Sequence, residues 1–237
     1  MSSCLLCGES VNGRLGWRPF FLLEAPPSIC GACRRQFEPI IGERCRACSR
    51  PLAALDPAFI REDRCLDCCR WEEDSFYKGV LAGNYSLYTY NEAMKDFIAR
   101  FKYRGDYILA QVFAGEIKKA AKQLPHDVAV AIPLSQERLM ERGFNQAEAL
   151  AQAAGLEIED VLQRVHGEKQ SKKSRSERLE AANVFGVKEK SSICHKKVLI
   201  IDDIYTTGST LRQAAYLLKQ AGAAEVRALT LARGQGT

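Results

Sequence analysis

Residues 198–211 read VLIIDDIYTTGSTL: an apolar run from Val198 to Ile201, the adjacent acids Asp202 and Asp203, then a turn crowded with hydroxyls around Gly208. A short continuous apolar run rich in branched residues is the pattern of a strand buried on both faces. After the turn, STLRQAAYLLKQAG (209–222) places Leu211, Ala214, Ala215, Leu218 and Ala221 at helical spacing, and Gly222 stands where the helix would end. EVRALTLAR (225–233) reads as another buried strand. Strand, helix, strand in this order predicts a right-handed crossover between parallel strands, hence a doubly wound α/β sheet.

In an open parallel sheet, ligands bind beyond the carboxyl ends of the strands, which is where Asp202 and Asp203 fall. Gly208 permits a tight turn, so backbone N–H groups and the hydroxyls of Thr206, Thr207, Ser209 and Thr210 can converge on an anion at the helix start. The two carboxylates would repel that anion directly. They suit neutral sugar hydroxyls, or a Mg²⁺ that accompanies the ligand. Phosphate on one side and a vicinal diol on the other describe a ribose 5-phosphate. A plain helix cap at Ser209 or Thr210 leaves the two acids unexplained, and a magnesium-assisted phosphoryl-transfer site leaves the hydroxyl cluster unexplained.

Upstream, GNYSLYTYN (83–91) alternates apolar and polar residues, so Tyr85 to Tyr90 reads as a strand or hairpin arm, with Asn91 capping the helix EAMKDFIARFKY (92–103). Asp106 caps a further helix over 107–124, and VAVAI (128–132) is a short buried strand ending at Pro133. Residues 133–146 read as a loop whose Arg138 and Arg142 face the crevice of Asp202, on the pyrophosphate side of a ligand. A helix follows from about 147 to 154, and EDVLQRV (159–165) holds a short strand. The polar, Lys- and Ser-rich stretch 166–192 reads as a mobile loop. Two basic groups suit nucleic acid: Lys102 and Arg104 around Tyr103, able to pair phosphates and stack bases, and Lys172, Lys173 and Arg175 in the long loop, which is otherwise a lid or a merely solvated segment. His126, His166 and His195 fall in loop or pre-strand contexts, so no general base stands out and the catalytic residues stay unassigned.

The first seventy residues follow a different logic. Their cysteines form four C-x-x-C knuckles, Cys4 with Cys7, Cys30 with Cys33, Cys45 with Cys48 and Cys65 with Cys68, separated by 22, 11 and 16 residues. One knuckle also occurs in thiol redox sites; four in one short segment make two Cys₄ sets of zinc-ribbon type, because each tight turn aims two sulfurs at one tetrahedral ion. Consecutive and interleaved pairings are both compatible with the spacing. With little apolar periodicity of its own, the segment needs metal ligation for much of its folding free energy, roughly 10 kcal/mol or more per site. Cys69 is a spare beside Cys68 or its replacement, and Cys194 reads as an ordinary buried or partly buried thiol.

Composition sets the frame. With 237 residues, 46% hydrophobic, the chain can bury one good core and a small second module, placed at 1–75 and 76–237. Residues 1–75 hold 10 Arg, no Lys and 11 acids, whereas 76–237 hold 24 basic and 18 acidic side chains, so an anion-binding face belongs to the larger part. No run of 18 apolar residues exists and MSSCLLCGES lacks the flanks of a signal peptide, which predicts a cytoplasmic protein without a transmembrane segment, in a compartment where thiols bind metal.

The acidic pair and hydroxyl turn resemble the ribose-phosphate fingerprint of type I phosphoribosyltransferases. Together with FKYRGD (101–106), RGFNQAEALA (142–151), EKQSKKSRSERL (168–179) and the knuckles, the whole chain resembles the ComF family, specifically its ComFC-type competence proteins. The resemblance implies a type I phosphoribosyltransferase-like parallel sheet behind a small zinc-ribbon module. It also implies phosphoribosyl pyrophosphate as ligand, with two zinc ions and Mg²⁺ as cofactors. A cytoplasmic role in natural transformation follows, with single-stranded DNA, the competence helicase and other uptake proteins as partners. It does not imply a transfer reaction, so an active phosphoribosyltransferase acting on a nucleobase or other acceptor stands as the second reading, and a zinc adaptor with a vestigial site as the third.

Overall fold

The computed structural model describes residues 3–11, 28–103, 105–165, 184–188 and 193–234. Its elements are α1 (Gly31–Arg34), β1 (Ile60–Arg61), β2 (Arg64–Cys65), α2 (Leu66–Glu73), β3 (Gly83–Thr89), α3 (Glu92–Tyr103), α4 (Ala114–Gln123), β4 (Val128–Ala131), α5 (Gln136–Arg142), α6 (Gln146–Ala153), β5 (Leu162–Arg164), β6 (Phe185–Val187), β7 (Lys197–Tyr205), α7 (Ser209–Gln220) and β8 (Glu225–Arg233), with 3₁₀ turns at Pro57–Phe59 and Tyr107–Phe113. The central sheet is wholly parallel, in the order β3-β8-β7-β4.

Side-chain alternation along β7 explains the apolar run. Val198 and Ile200 point to a core completed by Val226 and Ala228 of β8 and by Leu211, Ala214, Ala215 and Leu218 of α7. Leu199 and Ile201 point the other way, to Met94, Phe97, Ile98 and Phe101 of α3 and to Ala149 and Leu150 of α6. Helices cover both faces, so neither face of the strand tolerates polar residues until its carboxyl end.

Tyr85 to Tyr90 belong to a parallel edge strand, not a hairpin. The outer edge of β3 is closed by the amino-terminal segment: the amide of Ile40 donates to the Leu87 carbonyl at 2.9 Å, Thr89 to Glu38 at 2.9 Å and Asn84 to Ala47 at 3.0 Å. An open edge of a buried sheet invites pairing with other chains, and these bonds remove it. Phe37 anchors the junction, its ring packed edge-on against Phe97 and Phe113 at 6.0 and 5.0 Å. Across the boundary at residue 75 both cores are shared: Cys4, Cys33 and Phe37 lie in the first, and Cys45, Cys48, Cys65 and Cys68 in the second.

Four other readings change. The loop over 133–146 contains α5, whose start is capped by Ser135, accepting from the Arg138 amide, and whose end is Gly143 at φ +78°. None of its residues is buried, so it carries no apolar stripe to read. The helix over 107–124 opens as a 3₁₀ turn, where Asp106 makes no side-chain cap bond, and the winding stacks Leu109 over Val112 and Ala110 over Phe113, all buried. Phe185–Val187, within the stretch read as a loop, pairs antiparallel with β5; residues 166–183 and 189–192 lie outside the described residues. Cys194, expected to be buried or partly so, is exposed. Among the described residues no helix is long and apolar enough to cross a membrane.

Candidate functional site

Asp202 and Asp203 lie near the carboxyl end of β7, shortly before its last residue Tyr205. Alternation points the two side chains to opposite sides, and the Asp203 amide donates to the Asp202 carboxylate at 2.8 Å. Lys102, in the last turn of α3, is ion-paired with Asp203, and both side chains are largely buried. Burial, reinforced by the Asp203 carboxylate, raises the Asp202 carboxyl well above the usual carboxylate range, with the Asp203 amide and Lys102 opposing. Burial and the neighbouring carboxylate both favour the protonated form, which a cation at the site would oppose.

Beyond Tyr205 the chain turns through exposed Thr206 and Thr207 to Gly208, which starts α7 at φ +85° with no side-chain cap bond. Gly208 has no side chain with which to cap α7; the Ser209 amide donates to the Thr207 hydroxyl at 3.4 Å, and the helix dipole favours an anion at this end. Glycine is required twice over. The backbone is left-handed, and a Cβ would overlap the Tyr205 hydroxyl and the Arg212 guanidinium behind the turn. Ser209 and Thr210 are the first helical residues, not the cap.

A cavity of about 760 Å³ lies between the start of α5 and the antiparallel β5–β6 pair, lined by Ser135, Arg138, Asn145, Glu148, Asp160, Arg164 and Lys188 among others. Arg164 stacks over Phe185 at 5.5 Å. Burial lowers its pKa, the nearby Arg138 adds to this and Asp202 opposes it.

The eight knuckle cysteines form two sets, Cys4, Cys7, Cys30, Cys33 and Cys45, Cys48, Cys65, Cys68, with sulfurs in each set lying within 4.8 Å of one another. Each set can hold a metal ion in tetrahedral thiolate coordination. The pairing is consecutive, not interleaved. Cys69 belongs to neither set.

The chain is 38% identical to Competence protein ComFC of Streptococcus pneumoniae, over 97% of this chain and 99% of that protein. It is 39% identical to Competence protein ComFC of Bacillus subtilis, over 97% and 94%. The chain belongs to the ComFC family of competence proteins. The phosphoribosyl transferase domain family matches residues 139–237, from within α5 through β8. Among solved structures, the allosteric regulatory enzyme of purine biosynthesis superposes with a TM-score of 0.38 at 22% identity, over 51% of this chain and 25% of that one, too loosely to carry an argument.

Within this ComFC-family chain the residues singled out from sequence sort unevenly. Asp202, Asp203, Thr206, Thr207, Gly208, Ser209 and Thr210 fall together at one strand end. Arg138 is exposed on the cavity wall, whereas Arg142 turns to the far side, bonded to Gln146 at 2.9 Å and stacked over Tyr103 at 5.7 Å. Lys102, read as a nucleic-acid contact, is committed to Asp203, because an ammonium beside a nearly buried carboxylate has little reason to leave it. Arg104, Lys172, Lys173 and Arg175 lie outside the described residues. Sequence reading missed Arg164, whose only signal was a charged residue in a strand too short to show alternation, and it missed Trp71, Tyr205, Arg212 and Arg233 behind the turn. His126 bonds a loop carbonyl, that of Leu124, at 2.7 Å and has no part in the site.

Proposed function

We propose that this protein is a cytoplasmic DNA-uptake factor of natural transformation that binds phosphoribosyl pyrophosphate with Mg²⁺ and single-stranded DNA, with a zinc ion in each cysteine set. The observation that carries the reading is the left-handed Gly208 at the start of α7, whose first amide meets the hydroxyl of Thr207, a few residues beyond the acidic pair. The 5-phosphate sits on the amides of that turn and the hydroxyls of Thr206, Thr207, Ser209 and Thr210, the ribose diol on Asp202 and Asp203, and the pyrophosphate toward Arg138, with Arg164 joining it and Arg142 the weaker candidate. Mg²⁺ takes the place of the Asp202 proton. The competence role rests on the names of the relatives at 38% and 39% identity, and the helicase and other uptake proteins as partners rest on the same kinship. The organisation is a zinc-ribbon segment, 1–75, set on a phosphoribosyltransferase-like part, 76–237, whose excess of basic residues favours DNA there, with Lys172, Lys173 and Arg175 as the contacts. Calorimetric titration with phosphoribosyl pyrophosphate and Mg²⁺ should show saturable binding that Asp202→Ala abolishes; absence of binding in the parent protein would refute the reading. Reversing charge at Lys172, Lys173 and Arg175 together should weaken single-stranded DNA binding and flatten its salt dependence.

The cavity flanked by Arg138 and Arg164 favours a second reading, an active phosphoribosyltransferase whose acceptor enters there. Release of pyrophosphate on addition of nucleobases would distinguish the two.

A further inference from the structure

We propose that the Cys45–Cys68 metal site and the turn at Thr206–Gly208 form one mechanical unit, in which Trp71 and Arg212 are positioning residues that hold the turn in its anion-accepting shape. The coupling builds on the phosphate reading of that turn, but its test stands apart from it.

Cys65 is the N-cap residue of α2 and Cys68 lies buried in its first turn, so two members of the four-cysteine set fix where this helix begins and how it points. Trp71 follows Cys68 by three residues and therefore rises from the same side of the helix. Its indole Nε1 donates to the carbonyl oxygen of Thr207 at 3.0 Å, a bond spanning 136 positions of sequence. One side of the indole is covered by the Arg212 guanidinium at 4.8 Å, and Tyr77 meets the ring edge-on at 5.4 Å.

Arg212 is the second part. It is 2% exposed, and no carboxylate pairs with it among the described residues; its partners are the Tyr205 hydroxyl, at 2.5 Å, and the Trp71 ring. A buried guanidinium without an acid is costly unless other negative charge is near. An anion on the turn would supply that charge, and the thiolate cluster connects to Arg212 through Arg233 and Tyr205. Arg233, 3% exposed, completes the path, with its guanidinium 3.6 Å from Cys48 Sγ, 4.8 Å from the Tyr205 ring and 3.3 Å from the Tyr205 carbonyl. A divalent ion on four thiolates carries net negative charge. The contacts close a ring: Cys48, Arg233, Tyr205, Arg212, Trp71, and through α2 back to Cys68. Gly208 sits inside that ring with no room for a Cβ, so the turn has no slack of its own. Where the ring faces solvent, a cavity of about 350 Å³ lined by Arg50, Asp67, Arg70, Trp71, Asp74, Thr206 and Thr207 adjoins the outer side of the turn, so the indole bond restrains that side.

The test compares the full-length protein, as purified, with Trp71→Phe, which keeps an aromatic ring on Arg212 and removes only the donor. Native mass spectrometry counts the bound metal, calorimetry follows phosphoribosyl pyrophosphate with Mg²⁺, and hydrogen exchange follows the amides of residues 205–212. The variant should keep the parent's metal content and melt within about 2 °C of it. Its turn amides should exchange several-fold faster, and its affinity should fall roughly three- to tenfold, the worth of one hydrogen bond. Metal removal by chelator should accelerate exchange at 205–212 before the sheet core opens. Unchanged turn exchange in Trp71→Phe, or under chelation, overturns the proposal. A parent protein that binds no phosphoribosyl pyrophosphate would refute the phosphate reading alone, because the exchange comparison still decides whether the metal site holds the turn.

Discussion

The two cysteine sets share a ligand count and a C-x-x-C geometry, yet they occupy different environments. In the first set Cys4 and Cys33 are buried, Cys7 is exposed and Cys30 lies between. It docks on the sheet's helices by peripheral bonds: Arg100 donates to the Leu5 and Leu6 carbonyls at 3.2 and 2.9 Å, and Arg34 pairs with Glu116 at 2.5 Å with both side chains about a third exposed. Exposed ion pairs of this kind contribute roughly 0–1 kcal/mol. The second set is buried at all four positions, and its neighbours are the core side chains of β7, β8 and α7. Ligand chemistry alone does not set a metal's structural weight; what packs around the sulfurs does. The first set shares one core through Cys4 and Cys33 while its rim stays exposed, and the second is buried at every position in the other core, beside the strand that leads to the turn.

The comparison can be broken most directly at the cysteines. Cys48→Ala should remove one metal ion and, because the site's contribution is on the order of 10 kcal/mol, abolish the soluble cooperative fold. Cys7→Ala should lose the other ion while leaving a folded sheet with a lower melting temperature. Native mass spectrometry with thermal melts checks both, and equal losses would mean that burial does not separate the sites.

Phe37→Ala tests the seam between the two parts. This ring, 5% exposed, touches Tyr88, Phe97 and Phe113, so its removal should cost about 3–5 kcal/mol in chemical denaturation. A smaller loss would show that the seam is held by the edge bonds to β3 instead. Gly208→Ala sharpens the contrast by disturbing the second set's neighbourhood without touching a ligand. A side chain at this left-handed position should cost about 1–3 kcal/mol and abolish phosphoribosyl pyrophosphate binding, with the parent's metal content retained by mass spectrometry.

The smallest effect concerns Asp202. Because its folded pKa is raised, the native state holds this proton more tightly than the unfolded chain, so stability falls as pH rises from the unfolded value toward the folded one. Asp202→Asn should therefore melt higher than the parent near neutral pH. Ligand binding with Mg²⁺ runs the other way: it needs the ionised carboxylate, so affinity should rise with pH through the raised range, and the variant should lose that dependence. A parent affinity flat with pH would indicate that Asp202 accepts a hydroxyl instead of competing for a cation.

Much of this was legible without coordinates. The run Val198 to Ile201, the acids after it and the glycine in the turn are local features whose meaning depends on strand period and backbone sterics, and Gly208 is left-handed as the turn requires. The eight ligands were legible for the same reason, since two residues between cysteines suffice to aim both sulfurs at one ion. Helix α5 was not, because its caps at Ser135 and Gly143 act without any buried face to give a period. Lys102 was misread because a stripe analysis puts it on the solvent side of α3, while the sheet brings Asp203 to meet it.

The sequence by itself determined the elements and motifs whose physics spans a few residues: a strand that ends in acids, a turn only glycine can make, knuckles that pair sulfurs. Tertiary structure alone decided which knuckles come together as a set, that Arg164 joins Arg138 on one cavity wall, and that Trp71 reaches Thr207 across 136 positions. Such contacts depend on strand order and on which face of the sheet each segment covers. A chain folded by non-directional burial of apolar surface does not write that information in local spacing.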